Sequence, residues 1–331
     1  MSVIIISAAD MDRVMPMGGT IEAMDRVLRT LARGEAQLPL RSMLKLPDQS
    51  GLLGLMPAVL GDPPVMGLKV VTVMPGNHGS ELDAHQGAVM IFETQRGQPL
   101  AILDATSVTR IRTGAVSGVA TRALAREDAG DLAILGSGTQ AISHLEAMAC
   151  VRKLRRVRLW SRDGANAQRF AEREGARLKL EVEVAASAEA AVRGADLICT
   201  TTSAHEPILH GEWIAEGAHV NAVGACFPTT RELDTNAVRR ARMFVDRRES
   251  ALNEAGEFLI PRAEGAITDA HILGELGDVL LGRCVGRKNA SDVTLFKSLG
   301  IAVEDLAAAH WAWQRAHADG VGIEIELGGR R

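Results

Sequence analysis

The sequence predicts an α/β protein: a doubly wound parallel sheet joined to a mixed α+β domain formed by both chain ends. Three observations predict it. From Asp131 onward, short apolar runs alternate with amphipathic stretches at helical spacing, the pattern of βαβ units. The first of those runs, "DLAILGSGTQA", breaks into G-x-G-x-x-A where the next amphipathic stretch begins. The first hundred residues instead pair apolar runs around turns, and the last thirty read as a helix followed by a strand that returns to that first region.

Taken in order, "SVIIIS" reads as a first strand, because acidic rather than basic residues flank it and no leader pattern is present. The region up to residue 100 then reads as short strands and turns. "GLKVVTVMPGN" is a buried strand ending in a Pro-Gly-Asn turn, and "AVMIFETQRGQPLAILDAT" is two strands around Arg96-Gly97. Helical spacing starts near Thr109 in "VTRIRTGAVSGVATRALA". Beyond it come a strand to Leu135, a helix from Thr139 to Val151, the strand "RRVRLWSR" and a helix from Ala165 to Gly175. "LEVEVA", "DLICTTT", "AHVNAVGA" and "ARMFVD" are further strands, with a short helix over "SAEAAVRGA". The closing "GVGIEIEL" and the opening "SVIIIS" are apolar enough that burial is expected, at a dimer interface. A chain of 331 residues accommodates two domains, divided as 1–115, 116–302 and 303–331, the last rejoining the first.

Composition excludes several classes. The net charge is −4, no block of like charge occurs, and tyrosine is absent, so neither a nucleic-acid nor a membrane surface is expected. No apolar run reaches the roughly 18 to 20 residues that a membrane span needs. Cys150, Cys199, Cys226 and Cys284 are scattered and form no C-x-x-C, which suits a reducing cytoplasm. "HEPILH", His205 to His210, is one residue too long for the zinc-helix motif, and Pro207 would break that helix, so no metal site is expected.

The glycine motif is the chemical core of the sequence. Gly136 allows the tight turn, Gly138 lets backbone approach a pyrophosphate, and the small Ala141 lets helix pack on strand. Ser137, Thr139 and Gln140 complete a loop that offers helix N–H groups and a positive dipole end to phosphates. Its position between a strand and a helix makes this a Rossmann-type site. An acidic residue at the tip of the second strand would bind the ribose of NAD. Here the tip is Ser161 followed by Arg162, a hydroxyl and a guanidinium that suit the 2′-phosphate of NADPH. Asp163, two residues past the tip, keeps NADH as the alternative. Val223, in "HVNAVGA", is placed with the cofactor-binding residues.

Five blocks in order, from "ILDATSVTRIRTGAVSGVATRALAREDAGDLAILGSGTQA" through "VNAVGACFPTTRELD", "VDRRESALNEAGE" and "LGELGDVLLGR" to "TLFKSLGIAVED", resemble the ornithine cyclodeaminase and μ-crystallin family. The resemblance implies an NAD(P)-binding domain, a substrate domain built from both chain ends, and a homodimer paired through the latter. It also implies chemistry at a C=N bond beside a carboxylate, with a small imino or amino acid as partner. Three basic positions match the family's carboxylate clamp: Arg112 in "RIRTGA", Lys69 in "GLKVV" and Arg41 in "LPLRSML". A guanidinium fork fixes a carboxylate's orientation, and a lysine adds a point charge.

One departure narrows the activity. Cyclodeaminases and the alanine dehydrogenase type of the family place an aspartate shortly after "VGA", whereas this chain has Cys226, and the μ-crystallin type also lacks the aspartate. A thiol titrating near about 8.5 is a poor carboxylate substitute. The expectation is therefore an NAD(P)H-dependent reductase of a 2-imino acid giving an L-amino acid, with Cys226 lining the pocket. The rivals are an ammonia-releasing cyclodeaminase and a non-catalytic binding protein. His85, starting a strand after the "GNHGS" turn, is the candidate proton donor beside Lys69 and Arg112. Glu232 and Asp234 in "RELD" read as structural carboxylates at a helix start.

Overall fold

Two sheets organise the chain, and each collects strands of one kind. The computed structural model describes residues 2–77 and 80–328. It divides into one unit of residues 1–112 with 301–331 and a second of residues 113–300, where the sequence places the boundaries at 115/116 and 302/303. In chain order the first part holds β1 (Ser2–Ile6), α1 (Ala8–Val14), α2 (Met17–Ala32), β2 (Ala36–Gln37), β3 (Ser42–Lys45), β4 (Leu52–Leu60), β5 (Val65–Val73), β6 (His85–Glu93) and β7 (Pro99–Asp104). The division falls within α3 (Ala105–Leu124). There follow β8 (Asp131–Leu135), α4 (Thr139–Val151), β9 (Arg156–Trp160), α5 (Gly164–Leu178), β10 (Val182–Val184), α6 (Ala188–Val192), β11 (Leu197–Thr200) and β12 (His219–Ala222). The second unit closes with α7 (Thr235–Arg240), β13 (Arg242–Val245), α8 (Arg248–Glu254), α9 (Gly256–Ala263), β14 (Ile272–Glu275), α10 (Leu276–Leu280) and β15 (Thr294–Lys297). α11 (Ala302–Asp319) and β16 (Ile323–Glu326) return to the first unit.

The first unit is a mixed sheet in the order β16-β1-β7-β6-β5-β4-β2, with β3 also on β4. Only β1 and β7 pair in parallel. Alternation along the strands sends Met56, Ala58, Leu60, Val65, Lys69, Val89 and Ile91 to the buried face, which α11 covers. α2 packs on α11 through Met17, Ile21, Met24 and Leu28. The sequence reading put only strands and turns here and missed α2. Gly18 and Gly19 in its first turn dilute the helical signal. Gly19 has a packing reason: a Cβ there would lie 2.7 Å from the Trp311 ring of α11. α3 also starts earlier than expected, at Ala105, because the Asp104 carboxylate accepts the Ser107 N–H at 2.7 Å and closes the helix end.

Within one chain the two terminal strands differ: β1 is buried, as expected, and β16 is not. β1 is interior, between β16 and β7. β16 is an edge: Ile323 is 67% exposed, and Glu324 and Glu326 alternate with the isoleucines. Charges on an edge strand discourage indiscriminate strand pairing.

The second unit is an all-parallel sheet ordered β10-β9-β8-β11-β12-β15-β13-β14. β11, β12 and β15 are buried along their whole lengths, as strands covered on both faces must be. From β8 the chain steps outward to β9 and β10, then returns to place β11 on the other side of β8. That reversal is the switch point of a doubly wound Rossmann-type sheet, and ligands bind outside the carboxyl ends of the strands there.

Candidate functional site

At the switch point, β8 ends and the chain turns through Gly136 with φ +116. A Cβ at Gly136 would lie 2.8 Å from the Thr201 carbonyl oxygen and hydroxyl, so only glycine fits both the backbone angle and the space. Gly138 is the N-cap of α4, and a Cβ there would meet nothing within 4 Å among the described residues. The helix end is thus closed by no side chain and has room in front of it. Ala141 is fully buried, which brings α4 close to the sheet. The Ser137 hydroxyl donates to Ser161 Oγ at 3.0 Å and ties the loop to the tip of β9. Arg162 is exposed beside it. Asp163 is committed elsewhere: as N-cap of α5, its carboxylate accepts from the Ala165 and Asn166 N–H groups. This cradle of glycine turn, open helix N-terminus and hydroxyl-guanidinium tip fits a dinucleotide.

Buried charges wire together the loops that follow β11, β12 and β15. The Glu232 carboxylate accepts from Thr200 Oγ1, the Thr202 N–H and hydroxyl, and the Gly224 N–H, all at 2.6–2.7 Å. Burial nevertheless pushes its pKa up. The expectation of a helix-start carboxylate therefore holds for Asp234, the N-cap of α7, and not for Glu232, which cross-links two loops. Glu257 accepts the Glu232 N–H and ion-pairs with Lys297 at 3.0 Å. Lys297 is fully buried and donates to the Ala225 carbonyl. Burial alone would lower its pKa, but the charges of Glu257, Cys226 and Glu232 hold it above the ordinary lysine value. Val223 follows β12 and donates its N–H to the Thr200 carbonyl at 3.0 Å. Cys226 is half-buried, with its thiol directed to the Val223 carbonyl at 3.6 Å. Ser298, at the end of β15, has a buried hydroxyl with no partner among the described residues, a polar group that a ligand at the strand ends can satisfy.

The basic residues of the first unit meet at one carboxylate. Lys69 on β5 is 4% exposed, and its cross-strand neighbours are Met56 and Val89. Such a surrounding costs an unpaired ammonium several kcal/mol. Its partners come instead from helices: Asp305 of α11 at 2.8 Å, and the Thr109 hydroxyl of α3 at 3.4 Å. Arg112, on the same turn of α3, donates from Nε to Asp305 and from Nη1 to Glu304, each at 2.8 Å. Glu304 also accepts the Ile301 N–H at the start of α11. Burial pushes the Lys69 pKa down. Arg112 and Arg41 push it further, and Asp305 opposes them. Burial raises Asp305, but Arg112 and Lys69 outweigh it and hold the carboxyl below the usual range. Arg41, half-buried before β3, lies close enough for its charge to act on Lys69.

His85 is not brought to this cluster. It is the exposed first residue of β6, opposite Val73. Four strand positions, about 13 Å, separate it from the register of Lys69. The turn proposed to precede it includes His78 and Gly79, which lie outside the described residues.

The profile of the ornithine cyclodeaminase/mu-crystallin family matches residues 2–320. The chain belongs to that family. It is 36% identical to the Delta(1)-pyrroline-2-carboxylate reductase of Bacillus cereus over 325 residues, 98% of this chain and 100% of the relative. It is 40% identical to the ketimine reductase mu-crystallin of Mus musculus over 276 residues, 83% of this chain and 84% of the relative. Among solved structures, Thermococcus litoralis Delta(1)-pyrroline-2-carboxylate reductase in complex with NADH and L-proline superposes with a TM-score of 0.94. It shares 36% identity and covers 98% of this chain and 100% of its own.

For this family member, sequence reasoning singled out Lys69, Arg112 and Arg41 and missed the anions that pair with the first two, Asp305 and Glu304. Glu304 and Asp305 stand in "GIAVED", one of the blocks that carries the resemblance, yet nothing local marks them as partners of Lys69 and Arg112. The signal available was indirect: a lysine inside an apolar strand demands a buried anion somewhere.

Proposed function

We propose that this chain is an NAD(P)H-dependent reductase of 2-imino acids that forms the L-amino acid. The observation that carries the reading is the buried Lys69–Asp305–Arg112 cluster, a preformed cationic pair of the kind that receives a carboxylate. When bound in the cradle of the second unit, the nicotinamide supplies a hydride to the imine carbon. Arg112, Lys69 and Arg41 orient the substrate carboxylate, which fixes the neighbouring C=N bond for attack. Lys69, a buried ammonium whose pKa burial has lowered, delivers a proton to the imine nitrogen. One hydride on carbon and one proton on nitrogen convert C=N to CH–NH. His85 is the weaker proton donor because it is exposed and distant from Lys69.

NADPH is the preferred cofactor in this reading, with NADH as the alternative. Ser161 and Arg162 stand at the tip of β9, and the one nearby carboxylate, Asp163, is occupied in capping α5. The chain acts as a homodimer. The sheet face of the first unit opposite α11 carries Pro57, Val59, Met66, Leu68 and Phe92 around a cavity of about 750 Å³, an apolar surface that a second copy would cover. All four cysteines are free, in keeping with the cytoplasm, and no described helix is long and apolar enough to cross a membrane.

The test is absorbance at 340 nm with Δ1-pyrroline-2-carboxylate, its six-membered-ring homologue and acyclic imino acids. Net loss of reduced cofactor supports the reading. Ammonia release from ornithine without net cofactor change would indicate a cyclodeaminase, and no reaction across the panel would indicate a binding protein.

A further inference from the structure

The buried cluster contains two cations, Lys69 and Arg112, and two anions, Asp305 and Glu304. The anions are not equivalent. Asp305 spends one oxygen on Arg112 Nε and directs the other to Lys69 Nζ, each at 2.8 Å. Glu304 pairs with Arg112 through Nη1 and accepts the Ile301 N–H. Asp305 thus touches both basic side chains, one with each oxygen. It is fully buried, so water screens neither contact. We propose that Asp305 is a positioning residue for imine reduction: its two oxygens hold the Lys69 ammonium and the Arg112 guanidinium side by side, so that the pair meets the substrate carboxylate as one preformed unit. This inference rests on the reading of Lys69 and Arg112 as the substrate-carboxylate clamp.

Two consequences follow from the same geometry. The first is orientation. Without Asp305, a lysine on a four-carbon stem is held less firmly: its strand neighbours Met56 and Val89 offer it nothing polar, and the Thr109 hydroxyl lies at the longer distance of 3.4 Å. The second is charge. The charged groups around Lys69 are Asp305 and Glu304 on α11, Arg112 on α3, and Arg41 before β3. Asp305 is the anion in contact with the ammonium. Replacing it by a neutral residue leaves Lys69 facing two guanidinium groups in a buried site, and the ammonium loses its proton at lower pH.

The experiment is the pH dependence of kcat/KM with Δ1-pyrroline-2-carboxylate and NADPH, on the full-length chain. In the parent, kcat/KM falls on the alkaline side as Lys69 deprotonates. Asp305→Asn should move that fall to lower pH by at least about one unit and raise KM about tenfold or more. Glu304→Gln, which removes the charge paired with Arg112 and leaves the Asp305–Lys69 contact in place, should raise KM without moving the alkaline limb. Melting temperature and NADPH fluorescence quenching report whether each variant is folded. An unmoved limb in folded Asp305→Asn, or an equal movement in Glu304→Gln, overturns the proposal. Should Asp305→Asn fail to fold, Asp305→Glu decides. It keeps the charge and misplaces it, so the limb should stay and kcat should fall about fivefold or more; parental kcat overturns the positioning role. Lys69→Met separates the two levels of inference. If it reduces the imine as well as the parent, the clamp reading itself fails. If it is inactive while the Asp305 variants behave as the parent, only the role of Asp305 fails.

Discussion

Acid should destabilise the second unit through a histidine that pins the cofactor loop. His144 on α4 is fully buried. Its Nδ1 lies 2.6 Å from the Gln140 carbonyl oxygen, which can only accept, so Nδ1 carries the proton. Nε2, 2.9 Å from Ser117 Oγ, accepts from that hydroxyl. The ring is neutral, and burial pulls its pKa from 6.5 down to about 4. In the unfolded chain the same imidazole titrates near about 6.5. Between those values the unfolded chain takes up a proton that the folded one refuses, so stability is full above pH 6.5 and falls as the pH drops towards about 4. A gap of about 2.5 units corresponds to about 3 kcal/mol. His219 on β12 is also fully buried, and burial, helped by the Arg287 charge, pulls it to about 3. That adds about 5 kcal/mol once the pH is below both values. Together the two rival the roughly 5–15 kcal/mol by which a domain is stable. The assay is the melting temperature of the parent and of His144→Asn across this pH range. The asparagine amide can replace Nδ1–H toward Gln140 and does not titrate. The variant should lose about 1–2 kcal/mol at neutral pH, for the bond to Ser117, and then decline less steeply than the parent in acid. Parallel declines, or an NMR titration of His144 near 6.5, would refute the reasoning.

Three further outcomes are expected. Arg112→Lys keeps a charge but loses the planar fork whose Nε and Nη1 meet Asp305 and Glu304, so kcat should fall together with a rise in KM, by about 1.5–3 kcal/mol in kcat/KM; parental kinetics would put the active site elsewhere. Arg162→Ala should weaken NADPH by about 1–3 kcal/mol and leave NADH nearly unchanged, and comparing kcat/KM for both cofactors checks it, an equal loss for each removing the assignment to the 2′-phosphate. Val59→Asp, on the apolar sheet face, should convert a dimer to a monomer in light scattering, and a monomeric parent would contradict the dimer outright.

The sequence by itself determined what is local in the chain. The dinucleotide cradle was legible because its strand, glycine turn and helix are contiguous in the sequence, although the contact that makes glycine obligatory at Gly136 comes from Thr201, far along the chain. The parallel sheet was legible because short, largely apolar runs alternate with helical spacing from Asp131 onward, although the buried strands β12 and β15 also carry His219, Asn221, Thr294 and Lys297. Lys69, Arg112 and Arg41 were legible through their blocks. The tertiary structure alone decided what those residues do to one another. Arg112 and Asp305 are 193 residues apart, and only the return of α11 across the first sheet puts one carboxylate between two cations. The same long-range packing formed α2, whose glycines argue against a helix until Trp311 needs the space, and set β1 inside the sheet with β16 at its edge. Glu232 shows the difference most directly: its position in "RELD" suggests a helix cap, yet the fold collects four donors from Thr200, Thr202 and Gly224 around it. Local propensity reports the free energy of a segment with its neighbours in sequence, whereas a buried charge is settled by whichever partner the fold brings within about 3 Å.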